Sequence, residues 1–98
     1  MPNASHIIMS SNVQTISASS PSICVPYILD RVEKSTITNT FKILFGERNI
    51  ERIDVVFREK DNGEKFKRVF VHFHRWPDTR DAQIMRERLL RGEEVKIV

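Results

Sequence analysis

From Ser22 onward the spacing of apolar and polar residues changes period several times, and each change marks an element. Ile23-Cys24-Val25-Pro26-Tyr27-Ile28 is a short apolar run suited to a buried strand. Pro26 confines it to a strand end or a bulge. Beyond the charged stretch Asp30 to Lys34, Ser35 or Thr36 is placed to cap a helix. Ile37, Phe41, Leu44 and Phe45 then recur at three to four residues on one face, and Gly46 stops the helix. Ile50, Ile53, Val55 and Phe57, with Arg52, Asp54 and Arg58 between them, read as a mostly alternating strand running into the turn Asp61-Asn62-Gly63. Phe66 to Trp76 returns as the longest strand. Val69, Val71 and Phe73 point one way along it, and Phe66, Arg68, Phe70, His72 and His74 the other; Pro77 ends it. Asp78 or Thr79 caps a second helix with Ala82, Met85 and Leu89 on one side, widened by Ile84 and Leu90, and Gly92 closes it. Val95-Lys96-Ile97-Val98 is a last short strand, cut off at Val98 as expected of a piece of a longer protein.

The predicted order is βαββαβ, an α+β ferredoxin-like sandwich: a four-stranded antiparallel sheet with two helices on one face and the other face open. The helices are expected over Val25, Ile53, Val55, Val69, Val71 and Phe73. Cys24, Asp54, Val56, Arg58, Arg68, Phe70, His72 and Lys96 then fall on the open face, where a ligand has access.

Composition adds a boundary. Met1 to Leu29 carries no Asp, Glu, Lys or Arg, and its first part is crowded with Ser and Asn without a sustained period, so residues 1–21 read as a flexible arm and 22–98 as the domain. The 98 residues suffice for one small core. With 40% apolar and 30% charged residues the chain has the balance of a soluble globular protein, and its net charge of +3 permits a polyanionic partner without requiring one. Cys24 is the lone cysteine, which excludes an internal disulfide and points to an intracellular, nuclear or cytoplasmic setting. The first residues lack the basic and apolar regions of a secretory signal, and no segment is a membrane-span candidate.

Several local motifs resemble the RNA recognition motif (RRM) family over roughly residues 22–98. Phe41-Lys42-Ile43-Leu44-Phe45-Gly46-Glu47 followed by Ile50-Glu51-Arg52-Ile53 is similar to the family's first helix running through "FG" into its second strand, with a two-residue insertion around Arg48-Asn49. Ala82 to Gly92 followed by Val95-Lys96-Ile97 resembles the second helix and final strand. The family's octamer runs basic, Gly, aromatic, small, aromatic, aliphatic, any, aromatic. Here the octamer is Phe66-Lys67-Arg68-Val69-Phe70-Val71-His72-Phe73, with Phe70 in a place whose ring faces RNA, Arg68 replacing the other exposed aromatic, and Lys67 replacing the glycine. In the hexamer, Cys24 stands where a third exposed aromatic is usual. A lone degenerate RRM behind a polar arm is also similar to RRM proteins of large DNA viruses.

The resemblance implies a single-stranded RNA binder of modest affinity, because each stacking ring contributes about 1–3 kcal/mol per base and two are missing. Its expected RNA-binding residues are Phe70, Arg68, His72, Cys24, Phe66, Lys67, Arg58 and Lys96, with Arg68 as a partial substitute for a ring. The rival is a protein-interaction module using the sheet or helix faces. For Phe70 the alternatives are base stacking and a protein-binding apolar spot; for Arg58, Arg68 and Lys96 the alternative is an ordinary solvated charge. Arg80, Arg86, Arg88 and Arg91, interleaved with acids, read as a solvated helix face, and Trp76-Pro77 as a packing and turn element. His72, His74 and Cys24 suggest zinc but lack a fourth ligand beyond distant His6, so no metal is expected. Catalysis is not expected either: Asp30-Arg31-Val32-Glu33-Lys34, acidic and without Gly, would cradle an anion poorly, and no phosphate loop or nucleophile elbow is present. No cofactor and no membrane partner are expected, and the chain should be a monomer.

Overall fold

The computed structural model describes residues 7–12 and 17–97. The fold is α+β, an antiparallel sheet with two helices: β1 (Ile7–Asn12), β2 (Ser22–Leu29), α1 (Lys34–Phe45), β3 (Ile50–Glu59), β4 (Lys65–Phe73), α2 (Arg80–Leu90) and β5 (Val95–Ile97). All the elements expected from Ser22 onward form. Arg48 and Asn49 lie in a single 3-10 turn, Glu47–Asn49.

The long strands β3, β4 and β2 make the body of the sheet, closed by the hairpin turn in which Gly63 alone takes a positive φ of 88°. The Asn62 side chain accepts from the Glu64 amide to brace that turn. β4 ends at Phe73 rather than Trp76 and is one residue shorter than β3, because the backbone turns away: the His74 amide donates to the Asn49 carbonyl and the Trp76 amide to the Ala18 carbonyl.

Ile23, Val25, Val69, Val71 and Phe73 are all buried, with Ile53 and Val55 packed beside them, against Ile37, Phe41 and Phe45 of α1 and Ala82 and Leu89 of α2. Both helices therefore cover one face, the one expected. Phe45, Phe73 and Trp76 interlock by edge and tilted contacts with centroids 4.5–5.5 Å apart. Leu44 and Ile84, expected on the apolar stripes, are instead exposed. α1 starts two to three residues earlier than a Ser35 or Thr36 cap implies: Glu33 is its N-cap without a side-chain bond, while the carbonyls of Ser35 and Thr36 accept from Thr38 and Thr40 within the helix. At α2, Thr79 is the cap, accepting from the Ala82 amide.

The main departure lies in the first part of the chain, where Ile7–Asn12 and residues 17–21, expected within a flexible arm of residues 1–21, are built into the fold. β1 pairs antiparallel with β2 (Ser10 opposite Cys24) and with β5 (Met9 opposite Val95), giving the sheet order β3-β4-β2-β1-β5. Met9 is fully buried. The expected four-stranded order has the last strand directly beside β2; β1 fills that position. Because β4–β2, β2–β1 and β1–β5 are each antiparallel, β5 runs opposite to β4. Burial of Met9 rewards an element whose apolar residues show no period of their own. Residues 17–21 are also docked: the Arg86 guanidinium donates to the Ser20 and Ser17 carbonyls, each at 2.7 Å, and the Trp76 indole to the Pro21 carbonyl at 3.0 Å. Arg86 thus leaves the set of solvated helix charges, since it satisfies backbone acceptors of a turn that lacks a ladder of its own. Residues 1–6, 13–16 and 98, including His6, lie outside the described residues.

Candidate nucleic-acid interface

Strand alternation places Phe66, Arg68, Phe70 and His72 on the face away from the helices. Antiparallel register then decides their neighbours. Phe70 lies between Cys24 of β2 and Asp54 of β3; all three are half-buried. One row toward the start of β2, His72 lies opposite Arg52 of β3. Its Nδ1 is 3.0 Å from Ser22 Oγ and its Nε2 3.2 Å from Asp54 Oδ2. Arg52 Nε also donates to that Oδ2 at 3.1 Å. An ionised carboxylate only accepts, so His72 donates from Nε2; its Nδ1 accepts the Ser22 hydroxyl proton in the neutral ring and donates to that oxygen in the charged one. The Arg52 hydrogen bond, with the charges of Arg52 and His72 behind it, holds the Asp54 carboxyl below its ordinary value of 3.8.

Toward the hairpin, Arg68 lies opposite Val56, and its Nε donates to the Pro26 carbonyl at 3.3 Å. That contact depends on a register shift in β2 between Val25 and Ile28, the irregularity Pro26 foreshadowed. The shift also brings Tyr27 onto the Phe66 ring, centroids 5.1 Å apart, and the Tyr27 hydroxyl donates to Glu64 Oε2 at 2.6 Å. That bond raises the Tyr27 phenol above 10.0 and lowers the Glu64 carboxyl, which Lys60 also stabilises. Exposed Arg58 pairs with Phe66 at the far corner.

The eight expected site residues therefore do not form one surface. Phe70, Arg68, His72, Cys24 and Arg58 share the open face. Phe66 has the right orientation but is 9% exposed, because Tyr27 covers it. Lys67 belongs to the opposite face, as alternation with Arg68 requires. It is 6% exposed, donates to the Asp30 carbonyl, lies 3.7 Å from the Asp30 carboxylate and sits over the Phe57 ring. Lys96 is on β5, separated from β2 by β1, and its side chain is outside the described residues. Trp76, 2% exposed, is core and adds no aromatic surface.

Ser22, Arg52 and the placement of Asp54 beside Phe70 were missed as site features. The signal was available in the turn: a hairpin that brings Glu59 opposite Lys65 must bring Asp54 opposite Phe70. The Ser22–His72–Asp54 chain has the partners of a nucleophilic triad, spread over three neighbouring strands, β2, β4 and the edge strand β3. Among the described residues no three His, Cys, Asp or Glu side chains come together as metal ligands would, and no helix is long and apolar enough to cross a membrane. Comparison with known proteins gives no matching family model, no matching curated protein and no matching solved structure.

Proposed function

We propose that this is an RRM-like domain whose open sheet face binds single-stranded RNA with modest affinity. The observation that carries this reading is Phe70. Its ring stands on a helix-free sheet face, with Arg52, Arg58 and Arg68 around it against one acid of β3 and β4 on that face, Asp54. Bases stack on such a ring whatever their identity, and guanidinium groups pair with phosphate or stack in turn. Residues 22–73 supply the β–α–β–β portion of the family's pattern; β1 and the reversed β5 depart from it. With Phe66 covered and Lys67 on the other face, the binding set contracts to Phe70, Arg68, Arg58 and Arg52, with His72 and Cys24 flanking. Titration with short randomised RNA, followed by NMR, should shift β4 resonances centred on Phe70 and Arg68, and the affinity should fall as salt rises. Phe70 and Arg68 left unshifted at millimolar RNA would overturn the reading.

The second reading, a protein-interaction module, is favoured by one observation: α1 exposes Ile43 at 84% and Leu44 at 45% of their surface. A partner captured independently of nuclease, and lost on Ile43→Asp but retained on Phe70→Ala, would select it.

A further inference from the structure

Asp54 is an anion at the centre of a surface proposed to meet phosphates, and that placement has a chemical consequence. Its Cα partner across the ladder is Phe70, so the carboxylate lies beside whatever base the ring holds. Arg52 and His72 both bond to the same oxygen, Oδ2, and 42% of the side chain remains exposed. A carboxylate has about four lone-pair sites and no donor, so with Arg52 and His72 both on Oδ2 the capacity for two further N–H groups lies on Oδ1. Its lowered pKa keeps it ionised at neutral pH. Such a group repels phosphate and can gain only from donors on a base edge. Among the four bases, guanine alone presents two adjacent donors, N1–H and N2–H, on its Watson–Crick edge, close enough to converge on the open oxygen Oδ1. Cytosine and adenine offer one amino group beside an acceptor that faces the anion unfavourably, and uracil offers one imide N–H between two carbonyls.

We infer that Asp54 makes the Phe70 position selective for guanine, the ring stacking the base and the carboxylate accepting from N1–H and N2–H. The inference rests on the RNA-binding reading and assigns its first base. Short oligouridines carrying one central G, A, C, U or inosine, titrated by fluorescence anisotropy, test it on the whole chain. The G oligomer should bind about tenfold more tightly than the others, the scale of one good bidentate contact. Inosine, which lacks the N2 amino group, should fall between. Asp54→Asn, checked for folding by its NMR spectrum, should level the series while Phe70→Ala weakens every member. Equal affinity for all five, or an Asp54→Asn variant that strengthens all five alike, would overturn the selectivity while leaving RNA binding intact. If no oligomer binds and Phe70→Ala changes nothing, the RNA-binding reading itself fails.

Discussion

The two faces of β4 are built from alternate residues of one strand and are held by different physics. On the covered face, Val69, Val71 and Phe73 are fixed by burial against two helices, with Lys67 at the end sealing the layer through Asp30. On the open face, Phe66, Arg68, Phe70 and His72 are each defined by a particular cross-strand partner: Tyr27, Pro26, Asp54 and Ser22. Apolar burial is non-directional and tolerates many neighbours, whereas a polar face is specified only when each donor meets its acceptor. The covered face should therefore dominate stability and the open face recognition.

The largest effect should come from the covered face. Phe73→Ala removes a ring that touches both Phe45 and Trp76 and should cost about 3–5 kcal/mol in urea unfolding, enough to threaten a domain of this size. A loss below 1 kcal/mol would mean the aromatic cluster is not core. Adjacent charges provide a sharper contrast. Lys67→Ala should cost about 2 kcal/mol, since it strips a buried stem and a charge-assisted bond, and should leave the salt dependence of RNA binding unchanged. Arg68→Ala should reverse this pattern, reducing the salt slope by about one with little loss of stability. If both variants changed the salt slope alike, the division of the strand into two faces would fail.

The smallest effect is a titration at the hairpin end. Tyr27 is the only tyrosine, so absorbance follows it alone. Its phenol should ionise above 10.0 in the folded chain, and Glu64→Gln should return it toward that value. The folded-state value is the raised one, so the stabilisation is fully present below 10.0 and lost as pH rises through the folded value. The paired Glu64 runs the other way: its contribution is present above 4.5 and lost as pH falls.

Much of the covered face was legible in the sequence, because period-two and period-four patterns report directly which residues can be buried together. The faces of Val25, Ile53, Val55, Val69, Val71 and Phe73, both helices and the 61–63 turn follow from it. The open face was legible only in part. Alternation placed Phe70 and Arg68, and the same alternation applied to Lys67 puts it on the other side, whatever its place in the octamer. The cover over Phe66 depends on a register shift at Pro26-Tyr27, whose direction no local pattern states. β1 was not legible at all, since Ile7 to Asn12 gains its place from pairing with β2 and with the distant β5 rather than from its own composition.

That long-range dependence sets the order in which the sheet can be assembled. The β3–β4 hairpin closes over a five-residue connection, whereas the register that sets Ile7 opposite Ile97 closes a loop of nearly the entire chain. Loop-closure entropy rises with the logarithm of loop length, and non-local pairings form after local ones have shortened the path between them. The β1–β5 pairing closes the longest loop in the sheet, so on this entropy it follows the β3–β4 hairpin.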